Sequence, residues 1–267
     1  MIYQLIYKKA KIRFEELGQG NTLVLLHGFV ESLDIFSEIA DKLKDNYRII
    51  CIDLPGQGKS DLPDETLTIA YMADAVKAVL DHCKIEKCIM FGHSLGGYVT
   101  LDFENRFSKM LAGFGLLNSV PFADNETRKA ARDLTIKDIE TGKKAQVCKA
   151  HVDKTFAPDN LEKLNTARGF AKIIALNTPD EGIIAVLRAM KNRQDYSSSF
   201  KNTNLPVLYI NGKHDNFITA PVLADIKLPE KCTFVLFENS GHQSFIEEKD
   251  RTISEIVRFS DMVFYNQ

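Results

Sequence analysis

Residues 92–97, with the sequence Gly-His-Ser-Leu-Gly-Gly, restrict the fold more than any other stretch of the chain. They follow the short apolar run 87–91 and precede a helical pattern over 98–107. Ser94 is therefore predicted at a sharp turn from a strand into a helix. A serine in such a turn takes a strained, positive φ, and the residues two before and two after it crowd each other, which explains the glycines there.

This turn is suited to present a nucleophile. The Ser94 hydroxyl stands clear of the backbone, and the N–H of Leu95 lies at the start of a helix, where partial positive charge favours an anion. A Gly-x-Ser-x-Gly pattern also arises by chance in glycine-containing loops. The strand before the motif and the helix after it favour the functional interpretation.

Strand-like and helical patterns alternate along most of the chain. A hairpin is predicted over 2–17, and buried strands are predicted at 23–26, 48–52, 87–91, 111–117, 206–210 and 232–237. Short strands that alternate with helices predict an α/β fold, with a mainly parallel twisted sheet covered by helices on both faces. Active sites in such sheets lie at the carboxyl ends of the strands.

The alternation of strand-like and helical patterns stops after position 120. Helical patterns follow one another without a convincing strand, which predicts a helical cap at 121–200 inserted into a core made of 1–120 and 201–267. From 121 to 201 there are 15 Lys and Arg against 11 Asp and Glu, a net charge of +4 in a chain whose total is −2. The excess is compatible with an anionic group on the substrate, and surface lysines alone would also produce it.

Composition limits the partners. A net charge of −2 over 267 residues gives no reason to expect nucleic acid or an anionic membrane surface. The chain shows no signal peptide pattern and no apolar run long enough to span a bilayer, so we expect a cytoplasmic protein. Five irregularly spaced cysteines predict neither disulfides nor a zinc site, and we expect no metal and no cofactor. The oligomeric state is not visible in the sequence.

The loop 53–60 is close to a phosphate-binding pattern but does not match it. That pattern, Gly-x4-Gly-Lys-Ser, requires glycine at position 53, where the chain has Asp53. We predict instead a tight, glycine-rich turn that shapes the rim of the site.

Two distant residues complete a known arrangement. Asp215 and His242 each follow a predicted strand, and the chain order Ser94, Asp215, His242 is that of the alpha/beta hydrolases, which this chain resembles over essentially its full length. The resemblance extends to His27-Gly28-Phe29 as the oxyanion loop, to the turn that follows the next strand, and to a cap after the sixth strand.

The resemblance implies a serine hydrolase that cleaves a small carboxylic ester or thioester through an acyl-enzyme. Ser94 would be the nucleophile, His242 the general base and then the general acid, and Asp215 the group that orients the imidazole. The backbone N–H groups of Phe29 and Leu95 would hold the oxyanion.

Other interpretations stay open at this point. Asp124 is a second candidate for the acid, because some members of the family carry it after an earlier strand. A carbon-carbon bond hydrolase, a menaquinone-pathway type of lyase or a cofactor-free perhydrolase would use the same triad, although Tyr98 stands where the lyase pattern has arginine. Four cap arginines could then bind a carboxylate: Arg128, Arg132, Arg168 and Arg188. A non-catalytic ligand-binding module of the same fold is the third possibility.

His82 and His151 are expected on helices, either at the surface or with their hydrogen-bonding groups partly satisfied.

Overall fold

An eight-stranded sheet runs through the computed structural model, which describes residues 1–265. The strands are β1 (Ile2–Tyr7), β2 (Ala10–Leu17), β3 (Thr22–Leu26), β4 (Arg48–Ile52), β5 (Cys88–His93), β6 (Leu111–Leu117), β7 (Val207–Gly212) and β8 (Cys232–Phe237). Their order in space is β1-β2-β4-β3-β5-β6-β7-β8. β2 pairs antiparallel with both β1 and β4, and the other neighbouring pairs are parallel. The predicted α/β class with a mainly parallel sheet is confirmed.

Helices cover both faces of this sheet. They are α1 (Ser37–Leu43), α2 (Ile69–His82), α3 (Leu95–Phe107), α4 (Glu126–Glu140), α5 (Lys144–Thr155), α6 (Asn165–Asn177), α7 (Asp180–Lys191), α8 (Ser197–Asn202), α9 (Ala220–Ala224), α10 (Ser244–Glu247) and α11 (Lys249–Tyr265). Strands β3, β5, β6 and β7 are buried along their whole length, as expected when neither face meets water. Within residues 1–265, every helix is too short or too polar to cross a lipid bilayer.

Polar side chains fix where two of the longer helices begin. The Thr68 hydroxyl accepts a hydrogen bond from the Tyr71 N–H at 3.0 Å and caps α2, as its position in the sequence predicts. The Asn125 side chain accepts from the Arg128 N–H at 2.9 Å and caps α4. Each cap satisfies a backbone donor that the first turn of a helix leaves without a partner.

Helices α4 to α8 follow one another between β6 and β7, and the described residues of this stretch form no strand. We call residues 121–200 the helical segment. Its last helix, α8, crosses the predicted boundary at 200/201. The division into a core of 1–120 and 201–267 and a separate cap stays a prediction, and residues 266 and 267 lie outside the described part of the chain.

Close contacts hold the helical segment on α3 and on the loops after β4 and β8. The Tyr196 hydroxyl donates to the Asp102 carboxylate at 2.6 Å, and the Thr155 carbonyl accepts from the backbone N–H of His242 at 2.7 Å. At the start of α7 the Gly182 backbone passes so close to the loop after β4 that an added Cβ would lie 2.2 Å from the carbonyl oxygen of Gly56. This part of the segment therefore packs backbone against backbone.

A pair of Gly→Ala substitutions tests that contact. Gly182→Ala should lower the free energy of unfolding by about 1–3 kcal/mol, because the new methyl group must push two backbones apart. Gly169→Ala, in α6 with no atom near its added Cβ, should raise it by up to about 1 kcal/mol, since alanine favours a helix more than glycine does. Urea unfolding measures both, and equal effects at the two positions would contradict the close packing.

Candidate active site

The candidate site lies where the central strands end. Ser94 follows β5, Asp215 lies three residues after β7, His242 lies five residues after β8, and Phe29 lies three residues after β3. These four strands run parallel, so their carboxyl ends meet at one edge of the sheet. The topology thus brings together positions that are up to 213 residues apart, from Phe29 to His242.

Three of the predicted side chains form one hydrogen-bonded relay. The Nε2 atom of His242 lies 2.9 Å from the Ser94 Oγ, and its Nδ1 atom lies 2.7 Å from the Asp215 Oδ2. His242 and Asp215 are buried, whereas Ser94 is half-buried. The hydroxyl is therefore the end of the relay that a small molecule can reach.

Asp215 accepts several hydrogen bonds besides the one from His242. The backbone N–H groups of Phe217 and Ile218 donate to its Oδ1 at 2.7 and 2.9 Å, and the Asn118 amide donates to its Oδ2 at 2.9 Å. Burial raises the pKa of Asp215, but the His242 imidazole and these donors outweigh burial and hold the pKa below its ordinary value. The carboxylate is consequently ionised at neutral pH.

The turn at Ser94 has the strained backbone that the glycine pattern predicts. Ser94 has a φ of +49°, between β5 and α3. A Cβ on Gly96 would lie 2.2 Å from the Leu26 carbonyl oxygen, and one on Gly92 would lie 2.3 Å from the Gly96 carbonyl oxygen. Only glycine fits at these two positions, and its absence of a side chain lets the turn lie directly against β3.

The predicted oxyanion donors also lie at this edge. Neither the Phe29 nor the Leu95 backbone N–H donates to a protein acceptor within residues 1–265. On either side of Phe29, the Gly28 N–H donates to Glu31 at 2.6 Å and the Val30 N–H donates to Gln57 at 2.7 Å. The loop is thus fixed around Phe29.

The loop 53–60 braces this oxyanion loop instead of shaping the rim of the site, which corrects the sequence-based interpretation. Asp53 accepts a hydrogen bond from the Leu33 N–H at 2.6 Å, and the Leu54 N–H donates to the His27 Nε2 at 3.0 Å. No residue of 53–60 is among the described residues that line the cavity above Ser94.

Glu31 connects the three loops of the site, and sequence analysis gave it no role. Its Oε2 lies 3.0 Å from the His93 Nδ1 and accepts from the Gly28 N–H, while its Oε1 accepts from the Gln243 amide at 2.6 Å. The His93 Nε2 in turn lies 2.9 Å from the His242 carbonyl oxygen. One carboxylate therefore links the oxyanion loop, the serine turn and the histidine loop.

Glu31 and His93 form a buried ion pair. Burial raises the pKa of Glu31, but His93 and the hydrogen bonds to the carboxylate outweigh burial and lower the pKa to about 2. Burial lowers the pKa of His93, but the adjacent Glu31 raises it above its ordinary value. No local motif reveals this pair, since its members are 62 residues apart.

A cavity of about 550 Å³ opens above Ser94 and His242. Of the four cap arginines that sequence analysis proposed for carboxylate binding, only two line this cavity. Arg128 and Arg132 line the cavity, whereas Arg168 is bound to Asp153 and Asn165, and Arg188 pairs with Glu140. Across residues 1–265, no group of three or more His, Cys, Asp or Glu side chains is placed to hold a metal ion.

His151 lies on a helix, α5, as predicted, but its half-buried side chain lines the cavity above Ser94, which sequence analysis did not anticipate. Its ring centroid lies 5.3 Å from that of Phe29 and 5.4 Å from that of Phe217. Burial, reinforced by the nearby His242, lowers the pKa of His151 to about 4. The ring is therefore neutral at pH 7 and offers a substrate one donor and one acceptor.

The second candidate for the acid lies elsewhere. The Asp124 carboxylate is bound by Arg132 and by the Arg193 Nη1, the latter at 2.7 Å. The Nδ1 atom of His242 faces Asp215 instead.

Comparison with known proteins identifies the family. A model of the alpha/beta hydrolase fold matches residues 21–249. The chain belongs to the alpha/beta hydrolase fold family. The predicted family is confirmed, and membership supports the prediction that the chain is a hydrolase.

Several alpha/beta hydrolases resemble this chain over nearly its full length. The AB hydrolase superfamily protein YisY of Bacillus subtilis is 28% identical over 92% of this chain and 94% of its own. The pimeloyl-[acyl-carrier protein] methyl ester esterase of Vibrio cholerae is 26% identical over 91% of this chain and 95% of its own. A solved structure of a thermophilic esterase from Thermogutta terrifontis with malate bound superposes with a TM-score of 0.92, at 21% identity over 98% of this chain and 99% of that one. Other curated relatives are longer, and the chain spans about two thirds of their length.

The ion pair at Glu31 makes a pH-dependent prediction. The folded-state pKa of Glu31, about 2, lies below the ~4.3 of an unfolded glutamate, so its contribution to stability is present above pH ~4.3 and is lost as the pH falls toward 2. Glu31→Gln should lower the free energy of unfolding by about 3 kcal/mol near neutral pH, because it leaves His93 buried beside a neutral amide. Urea unfolding should show this deficit shrinking between about pH 4.3 and 2.

Glu38→Gln is the matched control. The Glu38 side chain is 71% exposed and pairs with Lys249 at the surface, so the same substitution there should change the free energy of unfolding by less than about 1 kcal/mol at any pH. A deficit for Glu31→Gln that stays constant with pH would contradict a charged pair.

Proposed function

We propose that this chain is a serine hydrolase that cleaves a small carboxylic ester or thioester through an acyl-enzyme intermediate. One observation carries the proposal: the Ser94 hydroxyl, hydrogen-bonded to His242, opens into a cavity large enough for a small substrate. Serine is a weak nucleophile at neutral pH and needs a base within hydrogen-bonding distance, which His242 provides at 2.9 Å.

Acylation requires one proton to move twice. The Ser94 Oγ attacks the ester carbonyl carbon while the Nε2 atom of His242 takes the hydroxyl proton. The imidazolium then gives this proton to the leaving alcohol or thiol as the bond from the acyl carbon breaks. Asp215, at 2.7 Å from the Nδ1 atom, fixes the tautomer that leaves Nε2 able to accept and stabilises the imidazolium.

A water molecule then hydrolyses the acyl-enzyme, with His242 again as the base and then the acid. His242 takes a proton from a water molecule, the hydroxide attacks the acyl carbon, and the proton returns to the Ser94 Oγ as the acid leaves. In both halves the tetrahedral oxyanion would accept hydrogen bonds from the backbone N–H groups of Phe29 and Leu95. Two features support this role: neither group donates to the protein within the described residues, and Leu95 begins α3, whose dipole favours an anion.

Similar proteins support ester cleavage as the reaction class. The relative from Vibrio cholerae is named as a methyl ester esterase, and the structural neighbour from Thermogutta terrifontis is described as an esterase. A serine at position 94 also favours this reaction over those of fold members that use an aspartate nucleophile.

Ser94→Ala should abolish turnover. We expect kcat for p-nitrophenyl acetate or butyrate to fall by a factor of about 10⁴ or more, because no other group can form the acyl-enzyme. A fluorophosphonate probe should label the wild-type protein at Ser94 and leave the variant unlabelled. Ser254→Ala, at an exposed serine of α11, is the matched control and should keep both activity and labelling.

Two outcomes would contradict the proposal. Hydrolysis that survives in Ser94→Ala would remove Ser94 as the nucleophile. A folded wild-type protein that the probe fails to label would favour a ligand-binding module of the same fold. A vinylogous diketone assayed beside the esters separates carbon-carbon bond hydrolysis from ester hydrolysis.

Asp215→Asn tests the orientation of the imidazole. An amide at this position can donate to Nδ1 and so stabilise the wrong tautomer, so kcat should fall by a factor of about 10⁴ while KM changes little. Asp225→Asn, at an exposed aspartate after α9, should leave both unchanged. Steady-state kinetics with one ester decides the point, and a large change in KM alone would argue against the orienting role.

A further inference from the structure

The cavity above Ser94 carries positive charge that no acidic wall residue balances. Its described lining includes Arg128, Arg132 and Lys154 and contains no aspartate or glutamate. The partly enclosed walls strengthen the field of these cations, because less water screens them than at an open surface. A cavity of this kind attracts an anion.

Arg128 is the cation best placed to bind one. Its Nη2 donates to the Phe217 carbonyl oxygen at 2.6 Å, which fixes the orientation of the planar guanidinium. Among residues 1–265 it forms no ion pair, and its remaining side-chain N–H groups have no protein acceptor. A half-buried guanidinium with unused donors matches the two oxygens of a carboxylate.

The other two cations add charge around Arg128. Arg132 shares the single carboxylate of Asp124 with Arg193, so these three residues together keep one positive charge. The Lys154 Nζ lies 5.1 Å from the centroid of the Phe217 ring and forms no ion pair within the described chain. Both lie in the wall of the same cavity as Arg128.

Several cations of the helical segment outside the cavity lining have acidic partners. Arg168 and Lys172 pair with Asp153, and Arg188 pairs with Glu140. Arg128, in the wall of the cavity, has no acidic partner among residues 1–265, so its charge is available to a ligand there.

We propose that the cavity selects esters that carry a free carboxylate, which Arg128 binds; this inference rests on the proposed function. The backbone carbonyl of Phe217 accepts the hydrogen bond from Arg128. The Phe217 side-chain ring lies 4.8 Å from the His242 ring, measured between centroids. Because Arg128 and Ser94 line the same cavity of about 550 Å³, one small substrate can place its carboxylate on Arg128 and its ester carbonyl at Ser94. Half-esters of short dicarboxylic acids fit this arrangement, and so do esters whose alcohol part bears the carboxylate.

Two matched substrate pairs test the selectivity. For the acyl side the pair is monomethyl glutarate and its neutral primary amide, and for the alcohol side it is 4-acetoxybenzoate and 4-acetoxybenzamide. In wild-type protein, kcat/KM should be at least about tenfold higher for the carboxylate member of one pair, through a lower KM. This preference should weaken as salt rises from about 20 to 500 mM.

Arg128→Gln should remove the preference, because it should raise KM for the carboxylate member of the pair about tenfold more than KM for the neutral member. Arg128→Lys, which keeps the charge but loses the planar fork, should retain part of it. Arg188→Gln is the matched control, since its side chain is 61% exposed and pairs with Glu140 outside the cavity. It should keep the full preference.

A binding measurement separates this inference from the proposed function. Calorimetry on Ser94→Ala protein should show glutarate binding that Arg128→Gln abolishes and Arg188→Gln preserves. Equal turnover of both members of each pair would overturn the selectivity and leave ester hydrolysis intact. Failure of glutarate to bind would overturn the anion site whatever the reaction, whereas failure of the probe to label Ser94 would overturn the proposed function alone.

Discussion

Direct contact between two backbones, made possible by two glycines, is the constraint on which the site depends. The turn at Gly96 lies against the carbonyl of Leu26, so the start of α3 and the loop that leaves β3 lie side by side. These two segments carry the Phe29 and Leu95 N–H groups that we propose as the oxyanion donors. The strained φ of Ser94 is held in place from the neighbouring strand, because its N–H donates to the Leu117 carbonyl at 3.0 Å.

The buried Glu31–His93 ion pair holds the loops of the site in place. Removing Glu31 and His93 from water is costly, and the cost is offset only because every oxygen of the carboxylate has a partner. Since those partners belong to three separate loops, the ion pair fixes the loops relative to one another. Asn118 has a similar place on the other side of the histidine: its amide donates both to Asp215 and to the Gly241 carbonyl, at 2.9 and 3.0 Å.

The sequence predicted those features whose signal is local. The glycine spacing around Ser94 and the strands before Asp215 and His242 all lie within a few residues of the groups they position. The contacts of Glu31 and the place of His151 in the cavity wall were not predicted, because both sites are assembled from distant segments. The rim interpretation of the loop 53–60 was wrong for the same reason: only the folded chain shows that its polar groups are turned toward the loop after β3.

The carbonyl of Thr155, at the end of α5, accepts hydrogen bonds from the backbone N–H groups of both His242 and Gln243. The helical segment thus also fixes the loop that carries His242. Exchanging the whole helical segment for that of a relative would disturb this loop as well as the wall of the cavity. A change of specificity is therefore easier to obtain by single substitutions at the cavity-lining positions of α4, α5 and α7. Such substitutions leave the backbone hydrogen bonds between Thr155 and the His242 loop in place.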